Sequence, residues 1–127
     1  DATGRPRLDG LSFASTVAAL REDGTLVMAD CGSFEDAQRA ARAGVDIVST
    51  TLAGYTGDRV KTDGPDLELL AEVVAAFPDV PVICEGRVHT PEQAAAAIEA
   101  GAFAVIVGTA ITHPTSITTW FKAAVEG

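Results

Sequence analysis

Lysine is almost missing from this chain. Lys61 and Lys122 are the only two in 127 residues, and the nine basic side chains face 18 acidic ones, for a formal charge of -9. Such an excess of negative charge excludes phosphate-backbone attraction to nucleic acid or to an anionic membrane. Any anionic ligand must therefore be gripped by a few local donors. Cysteine is equally scarce: Cys31 and Cys84 each end an apolar run. That usage fits reduced core thiols of a cytoplasmic protein and excludes a disulfide framework. The two histidines, His89 and His113, have no carboxylate or thiol partners at metal-ligand spacing, so neither a metal nor a cofactor is expected. No apolar run nears the ~20 residues of a membrane-spanning helix, and no basic-then-apolar leader opens the chain, so no membrane partner is expected.

What remains is an ordinary domain, 47% hydrophobic and 21% charged, long enough to bury a sizeable core. Four short apolar runs read as strands: Thr25 to Asp30, Val45 to Thr50, Pro81 to Cys84 and Phe103 to Val107. Helical patterns separate them. From Ser12 to Glu22 the apolar positions Phe13, Val17 and Leu20 recur at helical spacing, and Asp23-Gly24 stops the run. Ser33 caps a helix that runs to Ala43 and stops at Gly44. Pro65 starts another, with Leu67, Leu70 and Val74 as its core-facing stripe and Phe77-Pro78 as its end. Thr90-Pro91-Glu92-Gln93 opens the next with a capping threonine, a proline in the first turn and a glutamine able to close a capping box; Gly101 ends it. Pro114 begins the last, through Ile117, Trp120, Phe121 and Val125, with Trp120 expected in the core.

Strands alternating with helices imply parallel βαβ units, and near-continuous apolar strands imply a sheet covered on both faces. The class is α/β, and neither a β-sandwich nor a helical bundle fits. An internal repeat supports this: at an offset of 57 places Ser33 aligns with Thr90, Glu35 with Glu92, Ala40 with Ala97, Gly44 with Gly101 and Val48 with Val105. Four parallel strands fall short of the eight in a closed (β/α)8 barrel and leave two open edges. The chain reads as a single half-barrel, expected to be poorly soluble alone or to pair as a homo-oligomer, a dimer. Its polar opening, Asp1 to Arg7, has the character of a loop that follows a strand.

Ligands of parallel-sheet folds collect at the carboxyl ends of the strands. Asp30 ends the first strand, Glu85-Gly86-Arg87 follows the third and Gly108-Thr109 follows the fourth. Glu85, Arg87, Gly108 and Thr109 should face one pocket. The polar loop from Thr51 to Gly64 is long for a plain connection, and Thr50, Thr51 and Tyr55 are its candidates for lining that pocket. A bland alternative for the carboxylates is a salt bridge to Arg5, Arg7 or Arg87.

The segments DAT-x-RPR at Asp1 to Arg7, MAD at Met28 to Asp30, VSTTLAGYT at Val48 to Thr56, CEGRVHTPEQ at Cys84 to Gln93 and VGTAIT at Val107 to Thr112 resemble, in this order and spacing, the N-acylglucosamine-6-phosphate 2-epimerase family, also called N-acetylmannosamine-6-phosphate 2-epimerase. The resemblance implies a (β/α)8 barrel of the ribulose-phosphate-binding type, of which this chain supplies about the last four β/α units. It also implies inversion at C2 of an N-acylmannosamine 6-phosphate, by removal and return of the proton beside the open-chain carbonyl. Asp30 and Glu85 would be the catalytic carboxylates that orient the sugar and a lysine acid/base; Gly86, Arg87, Gly108 and Thr109 would grip the phosphate, with Thr50 and Tyr55 beside them. The family's lysine lies on a third barrel strand upstream of these residues. Neither Lys61 nor Lys122 matches it, and both are expected to be solvated surface charges, so the chain alone is expected to be inactive. His113 stands where members of the family often carry arginine. Two alternatives stay open: an isolated half-barrel that binds phosphate or assembles with itself, and another isomerase or synthase built on a phosphate-binding barrel.

Overall fold

A computed structural model describes residues 1–127. Its elements are α1 (Phe13–Glu22), β1 (Met28–Asp30), α2 (Phe34–Ala43), β2 (Ile47–Ser49), α3 (Leu67–Ala76), β3 (Val82–Glu85), α4 (Pro91–Glu99), β4 (Ala104–Ile106), the single turn α5 (Thr109–Thr112) and α6 (Pro114–Glu126). The strands form one sheet in the order β1-β2-β3-β4, every neighbouring pair parallel. Sequential parallel neighbours joined by helices are the repeat of a (β/α) barrel; in a doubly wound sheet the strand order would reverse.

The caps explain why the helices begin where they do. Ser12 accepts from Ser15 N–H and Ser33 from Asp36 N–H, while Gly44 closes α2 in the left-handed region at φ 81°. The capping box of α4 is complete: Thr90 accepts from Gln93 N–H, and the Gln93 side chain accepts from Thr90 N–H. At α3 the start differs from expectation. Asp66, not Pro65, is the cap, because its carboxylate can accept the Leu69 N–H that a proline leaves unpaired. The buried stripe is Leu69, Leu70 and Val73, with Leu67 and Val74 only packed at its margin. This helix lies on β3 and touches both α2 and α4, so a wide arc of it is covered.

Successive strand residues point to opposite faces. Ala29, Val48, Val82 and Cys84 are fully buried under the helices, against Val17, Ala37, Ala40, Leu69, Leu70, Val73 and Ala97. The other face carries Met28, Asp30, Ser49, Ile83, Glu85 and Ile106; Met28 stays 42% exposed at one edge of the sheet and Ile106 37% at the other. Trp120 is not in the core. It remains 37% exposed, its ring 4.7 Å from that of His89, and no residue of α6 is buried. The physical reason is topological: β4 is an edge strand and gives α6 little to cover. No helix is long and apolar enough to cross a membrane.

Candidate functional site

Sheet register sets the site. Asp30 pairs with Ser49, Ser49 with Ile83, and Glu85 with Ile106. Asp30, Ser49 and Glu85 therefore share the face away from the helices, near the carboxyl ends of β1, β2 and β3. Thr51, just past β2, joins them: its Oγ1 donates to Asp30 Oδ1 at 3.0 Å and lies 2.9 Å from Glu85 Oε2. Ser49 Oγ is 3.2 Å from Glu85 Oε2 and 2.7 Å from Thr51 Oγ1. Each hydroxyl carries one proton. Both carboxylates are satisfied when Ser49 donates to Glu85 and Thr51 to Asp30.

Neither carboxylate is in an ion pair. Arg5 pairs with Asp1 and Arg7 with Asp9, so the salt-bridge alternative does not describe Asp30 or Glu85. Arg87 lies next to Glu85 in sequence, yet its guanidinium turns to the Thr51 to Gly64 loop: Nε donates to Gly64 O at 3.1 Å, Nη1 to Ala53 O at 2.7 Å and Nη2 to Thr62 Oγ1 at 3.0 Å. The same group sits 4.9 Å from the centroid of Tyr55.

A cavity of about 220 Å³ opens beside this cluster, lined by Thr51, Tyr55, Glu85, Gly86, Arg87 and Gly108-Thr109 among others. The structure thus brings together Glu85, Gly86, Arg87, Gly108, Thr109 and Tyr55, with Asp30 one hydroxyl away. Thr50 it does not: that side chain is buried and donates to the Glu85 carbonyl at 3.3 Å, so it ties β2 to β3 away from the pocket. The amide N–H groups of Gly86, Arg87 and Gly108 donate to no acceptor within the chain. Gly86 and Arg87 both lie at positive φ, 100° and 57°, and leave their N–H groups free for an acceptor from outside the chain. The helix that follows Gly108 is only the four-residue turn α5, too short for a useful macrodipole; the unpaired N–H groups are what this corner offers an anion.

A larger cavity, about 890 Å³, lies elsewhere, between Thr3 to Pro6, the start of α2 and Thr56 to Arg59. Its two arginines are already used, Arg5 on Asp1 and Arg59 on Asp66, and Asp36 is on Arg39; the charges left over, Glu35, Asp58 and Glu72, are all negative. No three histidine, cysteine or carboxylate side chains converge as a metal shell. Burial, with the charges of Asp36 and Asp30, pushes the Cys31 thiol up to about 12, and burial also raises Cys84. Both are free and buried, hence protonated at neutral pH and unsuited to nucleophilic attack. Lys122 pairs with Glu126, and Lys61 places its Nζ 5.1 Å from the Tyr55 centroid, so Lys61 is less free than a solvated charge. His113 caps α6, its Nδ1 accepting from Ser116 N–H.

Sequence reasoning passed over Ser49 and named Thr51 as a candidate only alongside Thr50, which the resemblance placed beside the phosphate. The available signal was alternation: Ser49 and Thr51 stand two apart, on the same face as Asp30, whereas Thr50 faces the other way.

Comparison with known proteins bears on the fold and the family. The whole chain, residues 1–127, matches the NanE family, described as "Putative N-acetylmannosamine-6-phosphate epimerase". A protein of Cutibacterium acnes named "Putative N-acetylmannosamine-6-phosphate 2-epimerase" is 58% identical over 99% of this chain and 56% of its own length. One of the same name from Corynebacterium glutamicum is 50% identical over 97% of this chain and 53% of its own. The solved N-acetylmannosamine-6-phosphate 2-epimerase from Clostridium perfringens superposes with a TM-score of 0.92 at 43% identity, covering 98% of this chain and 54% of that one. The chain spans about half the length of the relatives it matches. Four consecutive β/α units in barrel order, with these segments at their strand ends, belong to the NanE family of N-acetylmannosamine-6-phosphate epimerases.

Proposed function

We propose that this chain is the carboxyl-terminal half of the barrel of an epimerase that inverts C2 of N-acylmannosamine 6-phosphate to give N-acylglucosamine 6-phosphate. The observation that carries this is the pair Asp30 and Glu85, held by Thr51 and Ser49 without a cation, next to the unpaired N–H groups of Gly86, Arg87 and Gly108. Epimerisation beside a carbonyl needs a base, stabilisation of the developing enolate oxygen and a grip that keeps the reacting carbon in place. The N–H groups of Gly86, Arg87, Gly108 and Thr109 hold the phosphate, and Tyr55 borders that mouth. Asp30 and Glu85 orient the open-chain sugar and the lysine that the family resemblance assigns to an upstream strand. That lysine removes the C2 proton and returns it to the other face. The substrate enters as an anion and leaves as one, and no redox step is involved.

The test is proton-deuteron exchange at C2 of N-acetylmannosamine 6-phosphate in heavy water, followed by NMR, with the full-length protein and with this chain. Exchange by the full-length protein alone is expected. No exchange by the full-length protein overturns the proposal, and exchange by both moves the base into this half, to Glu85.

A further inference from the structure

Arg87 is the one residue other than glycine with a positive φ, 57°. A left-handed backbone is unfavourable for a residue with a Cβ and persists only where its surroundings over-determine it. Here the surroundings are the loop that follows β2. The three bonds from the Arg87 guanidinium end on Ala53, Thr62 and Gly64, that is, on both limbs of that loop. The limbs touch: a Cβ on Gly54 would stand 2.6 Å from Lys61 Cα, so the loop is folded back on itself and a single fork can hold both sides. Its far end abuts the α4 cap, where a Cβ on Gly64 would stand 2.7 Å from Gln93 Nε2. Tyr55 lies within the folded loop, its ring facing the Arg87 guanidinium at 4.9 Å. Thr51 begins it, and the Thr51 carbonyl would be 3.3 Å from a Cβ on Gly86.

We propose that Arg87 is a positioning residue that pins the Thr51 to Gly64 loop over the cavity, and with it Thr51 and Tyr55, and that its guanidinium is not a phosphate ligand. Its backbone N–H faces the anion site while its side chain serves the loop. A planar fork reaching three acceptors is a task lysine cannot perform with a single ammonium, so charge alone does not suffice at this position. The effect on turnover rests on the epimerase reading; the effect on the loop does not.

Arg87→Lys and Arg87→Gln in the full-length protein are compared by amide hydrogen exchange over residues 51–64, by inorganic phosphate binding in calorimetry and by C2 exchange kinetics. Both variants are expected to speed exchange of the loop amides about tenfold or more while phosphate affinity stays within about twofold. kcat falls about 100-fold, as for a reacting group displaced by about 1 Å, with KM little changed. Loop amides that exchange as in the parent overturn the proposal whatever happens to turnover. So does a phosphate affinity that falls about tenfold in Arg87→Gln and recovers in Arg87→Lys, the signature of a direct charge contact. A protein that binds phosphate and loosens its loop but never exchanges C2 refutes the epimerase reading and leaves the role of Arg87 standing.

Discussion

Thr51→Val tests the carboxylate pair directly. Valine matches threonine in shape and removes one hydroxyl, so β2 and its loop keep their packing while the Asp30 carboxylate loses its only hydrogen-bond donor within the chain. Glu85 keeps Ser49 at 3.2 Å. A hydrogen bond to a charged group is worth about 1.5–3 kcal/mol, equivalent to about 10- to 150-fold in rate if all of it is lost from the transition state. Asp30 is half-buried, where water replaces part of the missing donor, so the lower end applies: kcat/KM for C2 exchange should fall about tenfold. Thr51→Ser keeps the hydroxyl and should recover most of that loss. Turnover of Thr51→Val within about twofold of the parent, with folding intact by circular dichroism, would refute the assignment of Asp30 as an orienting group.

Asp66 caps α3 and holds Arg59 with only 4% of its side chain exposed. Asp66→Asn keeps the cap and strands the arginine, at about 2–3 kcal/mol in urea unfolding at pH 7; Asp66→Ala adds about 1 kcal/mol for the cap. The hydrogen-bonded Arg59 guanidinium holds the Asp66 carboxyl below its usual range, so its stabilisation is complete above about pH 4 and is lost as pH falls through the lowered folded-state value. The advantage of the parent over Asp66→Asn should shrink on acidification, and a gap that widens would contradict the pairing. Gly86→Ala places a Cβ 3.3 Å from Thr51 O at φ 100° and should cost about 1–2 kcal/mol, read as a lower melting temperature with no change in helix content. Cys31 and Cys84, buried and protonated, should resist iodoacetamide at pH 8 in the native protein and react in urea; rapid native labelling would contradict their burial.

The strand-helix alternation was legible because each β/α unit carries its own punctuation: Ser33 and Gly44 around α2, Thr90 and Gln93 at α4. Such signals are local, and the structure places the elements with shifts of up to three residues, the largest at the start of β1. Glu85, Gly86, Gly108 and Thr109 were legible for a similar reason, since in a parallel sheet the residue that ends an apolar run already stands at the ligand-facing end. What a single strand cannot encode is which neighbour a polar side chain meets. Thr50 and Thr51 look alike in sequence, and only the register of β2 against β3 sends one to the Glu85 backbone and the other to its carboxylate. Arg87 shows the same gap from the other side. Its place after Glu85-Gly86 pointed to phosphate, while a partner loop more than 20 positions away decided where its guanidinium went.

Two carboxylates served by the same small group of hydroxyls repel one another, and hydroxyl donors alone offset that only in part. None of the nine basic side chains pairs with Asp30 or Glu85: Arg5, Arg7, Arg21, Arg39 and Arg59 are on other carboxylates, Arg87 is on the loop, Lys122 on Glu126 and Lys61 over the Tyr55 ring, while Arg42 belongs to the last turn of α2. The proposed substrate cannot supply the cation, because acylation removes the charge of its nitrogen and its phosphate is negative. A positive group from outside these 127 residues, set between Asp30 and Glu85, would relieve the repulsion and be held by it, its ammonium form favoured by both carboxylates. An acid/base lysine in that position would alternate between giving and taking a proton while the carboxylates keep it aimed at C2. In the proposed reaction, that is the physical content of placing the base on one half of the barrel and its two orienting groups on the other.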